Sequence, residues 1–303
     1  MWLMSYHQPV MLNECLQGLN VDPSGTYVDV TFGGGGHSMA ILEKLKGGRL
    51  IGMDQDEDAK KEAEKIEHRS FTFCQANFRF MKQYLKLHGV TRVNGILADL
   101  GISSHQIDSP ERGFSTRFPG PLDMRMSTQG KRTAASILKT YTEENLHKVF
   151  GMYGELKNAR TTAAAVVRAR AQRKLETTED LKEALRRAAP RGKENKYFAQ
   201  VFQALRIEVN EEMQALEDFL HLCGEVIVSE GRLVVMSYHS LEDRMVKNYL
   251  HTGKAFGEQE KDFYGHIVRP FDPVNRRPIT ASVKEVEQNG RARSAKLRIG
   301  KRN

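Results

Sequence analysis

Tyr27-Val-Asp-Val-Thr-Phe-Gly-Gly-Gly-Gly-His-Ser38 is an apolar, β-branched run that reaches an acid, enters four consecutive glycines and opens onto a helical pattern. The order is strand, tight turn, helix. Glycine lets the backbone approach a ligand that any Cβ would block, and the helix that follows offers unpaired N–H groups at its start. The stretch therefore suits a nucleotide or nucleoside. Two familiar versions fail on spacing. In the dinucleotide pattern G-x-G-x-x-G the third glycine would be Ser38 counted from Gly33, or Met39 counted from Gly34. A phosphate loop would need Gly-Lys-Ser/Thr, and none follows. What remains is an acid, Asp29, four residues ahead of the first glycine.

Moving outward, residues 37–46 continue as a helix that Gly47-Gly48 stops. Residues 49–54 form a second buried strand ending in Asp54, 25 residues after Asp29 and near the spacing of about 20 at which an acid meets ribose hydroxyls. A charged helix (56–67) leads to a third strand (71–75) and then to Phe78, an aromatic that would either stack on adenine or belong to the core. Residues 94–99 are a fourth strand ending in Asp99, followed by Leu100-Gly-Ile-Ser-Ser-His-Gln106. Strands with polar or aromatic residues at their carboxyl ends are what an open parallel sheet uses to bind ligands. Strand character is then lost from about 107 to 195, where an ordered loop (113–126) precedes helices over 143–150, 156–174 and 178–189. Thr177 with Asp180 fits a capping box for the last of these. One long helix over 197–228 leads to a strand over 232–239, a helix over 241–251, and extended candidates near 266–269 and 295–299.

The chain has 303 residues and 40% apolar content, enough for one large domain or two modest ones with a proper core. Three separated cysteines, Cys15, Cys74 and Cys223, give neither a disulfide framework nor a zinc site, which suits a reducing cytoplasm. The start of the chain lacks the pattern of a secretion signal and no apolar run approaches the ~18 residues of a membrane span, so no membrane association is expected. The net charge of +8 is concentrated: residues 125–206 hold 18 Lys and Arg against 8 Asp and Glu. Arg170, Arg173 and Lys174 would share one helical face there. Such a surplus fits a phosphate-rich partner, or else an ordinary solvated face. From Arg291 onward there are six Lys and Arg and no acid.

Several longer runs resemble the RsmH (MraW) family, bacterial methyltransferases that use S-adenosyl-L-methionine on ribosomal RNA. They are His7-Gln-Pro-Val-Met-Leu12, residues 29–38, residues 99–108, Glu111-Arg-Gly-Phe-Ser115, residues 120–126, Phe202-Gln-Ala-Leu-Arg-Ile207, Ser237-Tyr-His-Ser-Leu-Glu-Asp-Arg244 and Arg291-Ala-Arg-Ser-Ala-Lys-Leu-Arg298. They span the chain end to end. The resemblance implies an α/β fold, a class I Rossmann-like methyltransferase sheet with a helical domain inserted after the fourth strand. The methyltransferase domain would comprise 1–109 and 206–303, with a basic substrate-recognition domain at 110–205. It implies methylation of the exocyclic N4 of a decoding-centre cytidine in 16S ribosomal RNA, within the small subunit, with S-adenosyl-L-homocysteine as product. Cofactor contacts would fall on Gly34, Gly35, Gly36 and His37 in the loop, Asp54 at the ribose, Phe78 by the adenine, and Asp99 and Gln106 at the methionine end.

The amino group of cytosine is a poor nucleophile, so the site must orient it and accept a proton. Many amino-methyltransferases place Asp/Asn/Ser-Pro-Pro-aromatic after the fourth strand, whereas this chain has Asp99-Leu-Gly-Ile-Ser103. Asp99 is the leading candidate for orienting amine or cofactor. His239 is a candidate proton acceptor or base contact, or a structural histidine. Asp123 and Arg125 would shape the target pocket or brace their loop. The target base would have to leave its stack. A nicotinamide-dependent oxidoreductase would share the layout but not the glycine spacing, and a non-catalytic RNA-binding ribosome-assembly factor would share the basic segment. The sequence leaves oligomeric state, a homodimer included, open.

Overall fold

A computed structural model describes residues 9–303, so His7 and Gln8 of the first quoted run lie outside the described residues. The chain divides into two compact units, Met1–Gly101 with Met213–Asn303, and Ile102–Glu212. The second begins earlier than 110 and ends later than 205, because the chain joins the helical unit directly after Gly101 and leaves it only at the end of a long helix.

The first unit opens with α1 (Leu12–Leu19), then β1 (Thr26–Asp29), α2 (Gly36–Leu42), β2 (Arg49–Asp54), α3 (Glu57–Ala63), β3 (Phe71–Gln75), α4 (Met81–Leu87) and β4 (Val93–Asp99). The second holds α5 (Ser104–Asp108), α6 (Ala134–Thr140), α7 (Glu143–Met152), α8 (Ala159–Arg170), α9 (Thr178–Leu185) and α10 (Glu194–Asn210). The chain returns through α11 (Glu212–Val226), β5 (Ile227–Ser237), α12 (Ser240–Thr252), β6 (Phe271–Pro273), β7 (Ile279–Thr280), α13 (Val283–Gln288) and β8 (Lys296–Arg302).

The sheet runs β3-β2-β1-β4-β5-β8-β6, with β7 also paired to β8. β1 to β5 are parallel and β8 is antiparallel to β5. This is the class I, Rossmann-like methyltransferase sheet, with the helical unit inserted after β4. The five parallel strands are apolar on both faces because helices cover both. Val28, Ile51, Met53, Ile96, Ala98, Leu233 and Val235 pack with Met81, Leu85, Phe219, Leu220, Val246 and Tyr249, which come from α4, α11 and α12. On the other face Tyr27, Leu50, Leu97, Val234 and Met236 meet Cys15 and Leu19 of α1 and Ile41 and Leu42 of α2. The strand order reverses between β1 and β4, with β2 on the far side of β1. That is the switch point at which a crevice opens beyond the carboxyl ends.

In the helical unit Leu146, Phe150, Val166, Leu181, Leu185, Val201, Phe202 and Leu205 form a separate core, joined by Phe114, Leu122 and Met124 from the preceding loop. Two passes of that loop touch backbone to backbone. A Cβ on Gly113 would lie 2.0 Å from the Pro121 carbonyl oxygen, and one on Gly120 would lie 2.0 Å from that of Pro110. The expected capping box is present, with the Thr177 hydroxyl accepting from the Asp180 N–H at 3.2 Å.

Three expectations change. The long helix over 197–228 is two helices, α10 and α11, parted at Glu211, whose φ of 52° is left-handed. The helix expected over 156–174 is the shorter α8. The extended candidate at 266–269 is reduced to a single isolated bridge, Ile267 with Lys261.

Candidate active site

The register shows how the glycine loop is placed. Asp29 lies level with Gly52 on β2 and with Leu97 on β4, and both neighbours run two residues further, to Asp54 and Asp99. Side chains alternate along a strand, so Asp29, Asp54 and Asp99 share one face of the sheet. The chain leaving β1 therefore turns through its glycines between two carboxylates.

Asp29 is consumed in building this turn. It is buried, its Oδ2 accepts from the Ser38 hydroxyl at 2.7 Å and its Oδ1 accepts from the Thr31 N–H at 3.2 Å. Asp54 reaches the loop from the other strand. Its Oδ2 accepts from the Gly33 N–H at 2.8 Å and its Oδ1 from the Asp56 N–H at 2.9 Å. Burial outweighs these bonds and pushes its carboxyl up to about 6. Gly35 has a φ of 78°, and a Cβ there would lie 2.7 Å from the Phe32 ring, while one on Gly36 would lie 2.3 Å from Pro9. Gly34 is the exposed residue of the turn.

Asp99 stands across the loop. Its Oδ1 accepts from the Tyr238 hydroxyl at 2.8 Å, its N–H donates to the Thr31 hydroxyl oxygen at 2.6 Å, and its Oδ2 lies 4.0 Å from His37 Nδ1. Burial pushes this carboxyl up to about 6, against the opposing pull of His37 and of the Tyr238 hydroxyl. His37 is buried with Nε2 3.1 Å from the Val10 carbonyl oxygen, which places the proton on Nε2 and leaves Nδ1 toward Asp99. It supports the site from beneath. Phe78 follows β3, half-buried, with its ring 5.2 Å from that of Phe219.

His239 is differently employed. It caps α12, with Nδ1 accepting from the Glu242 N–H at 3.5 Å, while Glu242 Oε2 accepts from the Tyr238 N–H at 3.0 Å. Its Nε2 is 3.2 Å from Glu242 Oε1. The histidine caps the helix through Nδ1, while its Nε2 is buried without a hydrogen-bond partner among the described residues.

Within the helical unit, Gln106 is buried and its Oε1 accepts from the Ser103 N–H at 3.0 Å, closing a capping box on α5. Asp123 and Arg125 form a forked pair at 2.8 and 2.7 Å, and the same guanidinium donates to the Thr128 and Gly130 carbonyls at 2.9 and 2.6 Å. Burial raises the Asp123 carboxyl, but the bonds and charge of Arg125 outweigh it and the net shift is downward. Both residues brace their loop. Arg170 donates to the Leu138 and Tyr141 carbonyls at 2.8 and 2.6 Å, sealing the end of α6. Arg173 and Lys174 lie past the end of α8, so the three do not form a helical face. The connection from α9 to α10 carries more: Arg186, Arg187, Arg191, Lys193 and Lys196 are exposed, with Glu194 as the acid among them. Sequence reading passed over that stretch because it has no periodicity, although its local charge was countable. It also passed over Tyr238, whose partner Asp99 is 139 positions away.

A model of the MraW methylase family matches residues 4–303. The chain is 55% identical over 297 residues to "Ribosomal RNA small subunit methyltransferase H" of Cytophaga hutchinsonii, covering 98% of this chain and 99% of that one. It is 51% identical over 300 residues to the protein of the same name from Bacteroides thetaiotaomicron, covering 99% and 98%. Among solved structures, TrmN from Thermus thermophilus aligns with 97% of this chain and 48% of its own, at 10% identity and a TM-score of 0.43, too distant to argue from.

Proposed function

The chain belongs to the MraW methylase family of S-adenosyl-L-methionine-dependent methyltransferases, and we propose that it methylates the exocyclic N4 of a decoding-centre cytidine in 16S ribosomal RNA, within the small subunit and in the cytoplasm. Relatives that match end to end carry the name of a small-subunit ribosomal RNA methyltransferase, which supports the substrate class. The observation that carries the reading is the glycine turn rising between Asp54 and Asp99.

The residues fit the cofactor. Gly35 and Gly36 stand where a Cβ would collide with Phe32 and Pro9, so the turn stays tight and its backbone bare. Each oxygen of Asp54 takes one backbone amide and keeps a lone pair for a ribose hydroxyl. Phe78 offers a half-buried ring beyond β3 for the adenine. Asp99, with Asp29 and Glu242 near it, gives that side of the loop a negative field suited to an ammonium group. When bound, S-adenosyl-L-methionine supplies an electrophilic methyl on a sulfonium and leaves as S-adenosyl-L-homocysteine.

Asp123 serves as scaffolding, since it is spent on Arg125, whereas His239 caps a helix through Nδ1 and keeps a buried Nε2 without a hydrogen-bond partner among the described residues, which leaves it a candidate proton acceptor. RNA is gripped by the exposed cations of the α9–α10 connection, a sequence-independent contact with phosphates. Among the described residues no helix is long and apolar enough to cross a membrane.

Nucleoside mass spectrometry on 16S ribosomal RNA tests the reading. A deletion strain should lose one N4-methylated cytidine, the parent gene should restore it, and Asp99→Asn should not. A methylation pattern indifferent to the deletion would leave the protein as a non-catalytic RNA-binding assembly factor.

A further inference from the structure

The run Ser237 to Arg244 is among those through which the sequence resembles the MraW family, yet the cofactor contacts leave it unused. The structure accounts for most of it. His239 and Glu242 cap α12, and Asp243 pairs with Lys296 and Arg298 at 3.1 and 2.6 Å. Tyr238 is left over, and it turns back toward β4.

Its hydroxyl donates to Asp99 Oδ1 at 2.8 Å. Its ring lies beside Gly101, where a Cβ would be 3.6 Å from Tyr238 Cδ2. The backbone of Tyr238 is fixed in turn, because its N–H donates to Glu242 Oε2. Asp99 is thereby held at two points, by Tyr238 at Oδ1 and by Thr31 at its own N–H, while His37 Nδ1 stands 4.0 Å from Oδ2. Of these, Tyr238 alone makes a direct side-chain hydrogen bond to the carboxylate among the described residues.

We propose that Tyr238 is a positioning residue for cofactor binding, its hydroxyl fixing the Asp99 carboxylate in the orientation that receives the ammonium end of S-adenosyl-L-methionine. The inference rests on the reading of Asp99 as the partner of that end. The bond also favours the charged carboxylate, since a donor to the ionised form lowers its affinity for a proton. The titratable groups facing Asp99 are His37 from α2, Asp29 from β1, Tyr238 and Glu242 from the end of β5 and from α12, and Cys15 from α1. Asp29 and Glu242 oppose its charge, the Cys15 thiol is neutral, and His37 favours the ionised form only when its ring is doubly protonated, so the tyrosine hydroxyl is the standing support for that form.

Tyr238→Phe removes only the hydroxyl. Affinity for S-adenosyl-L-homocysteine, measured by calorimetry from pH 5 to 8.5, should fall in the parent as pH drops through the Asp99 midpoint. In Tyr238→Phe that midpoint should rise by about one pH unit, a shift typical of losing a hydrogen bond to a carboxylate. At pH 8.5 the two affinities should agree within about threefold. In an Asp99→Asn background Tyr238→Phe should add nothing. An unchanged midpoint, or a loss equal at every pH and also present in the Asp99→Asn background, would overturn the proposal and leave Tyr238 as packing.

The parent gives a second measurement that needs no tyrosine variant. With carbon-13 at the tyrosine Cζ, one resonance should follow the Asp99 midpoint and cease to do so in Asp99→Asn. Absence of any such resonance would count against the coupling as decisively. No RNA enters either experiment, so the cytidine reading can fail while this one stands, and the reverse.

Discussion

Asp99→Asn should make the protein without cofactor more stable at neutral pH while disabling it. In the folded state the Asp99 carboxyl is pushed from its usual 3.8 up to about 6, mainly by burial. The folded form therefore binds this proton more tightly than the unfolded chain. Its contribution to stability is complete below about pH 4 and is lost as pH rises through about 6. A difference of about two units is about 3 kcal/mol at neutral pH, which the 23% exposure of the side chain reduces to about 1–2 kcal/mol. Asparagine is nearly isosteric and can be satisfied in place. Its Oδ1 accepts from Tyr238, and its amide faces His37 Nδ1, which is an acceptor because the ring proton is engaged with Val10. Thermal unfolding without cofactor should show the variant gaining roughly 2–6 °C at pH 7.5, with the gain shrinking toward zero by about pH 4. The parent difference at each pH cancels every other titration in the molecule. A variant that is less stable than the parent at pH 7.5, or a gap that ignores pH, would refute the assignment of strain to this carboxylate.

Asp54→Ala should weaken S-adenosyl-L-homocysteine binding by about 1.5–3 kcal/mol in calorimetry, the range for hydrogen bonds to a charged group, and also release the Gly33 amide. Gly36→Ala puts a Cβ 2.3 Å from Pro9, so urea unfolding should show a loss of about 1–3 kcal/mol together with weaker cofactor binding. Arg170→Gln should destabilise the helical unit by about 2 kcal/mol through its two carbonyl contacts and leave the salt dependence of RNA binding unchanged. Replacing Arg187, Arg191 and Lys193 together with Gln should leave stability within about 0.5 kcal/mol and make the slope of log affinity against log salt shallower by up to about 3.

What the sequence made legible follows from which forces are local. The second and third strands fall at 49–54 and 71–75, as the apolar runs indicate, the second bounded in the chain itself by Gly47-Gly48 and Asp54 and the third by the polar residues 68–70 and Asn77. The two acids flanking the glycine turn were visible for the same reason. α1 escaped because it is short and its N-cap is Met11 with a left-handed φ of 50°, with no capping side chain to announce it. The break at Glu211 escaped because neither Gly nor Pro marks it, and the apolar period runs through. Arg170 looked like a surface cation because a sequence shows charge but not destination; its carbonyl partners lie 32 and 29 residues away. His239 is a related case. A histidine at a strand end has the composition of a catalytic group, and only the Glu242 amide in front of its ring reveals a cap.

The three acids at the ends of β1, β2 and β4 also decide what the crevice can accept. Asp29 is satisfied within the fold by Ser38 and Thr31, so it holds the turn and asks nothing of a ligand. Asp54 and Asp99 keep acceptor capacity, and both are raised by burial to about 6. Their contacts within the fold, two backbone amides on Asp54 and the Tyr238 hydroxyl on Asp99, do not offset the cost of burying the charges. A ligand with hydroxyl donors on one side and a cation on the other does, because each carboxylate then gains the partner that burial withheld. A pyrophosphate would meet the opposite situation. At ~6 Å and an effective dielectric of ~20, each pair of like charges opposes binding by about 3 kcal/mol, and two carboxylates face the loop. The glycine spacing that disfavours a dinucleotide and the charge around the loop are thus independent reasons for one conclusion, a nucleoside cofactor whose charged end is an amino acid.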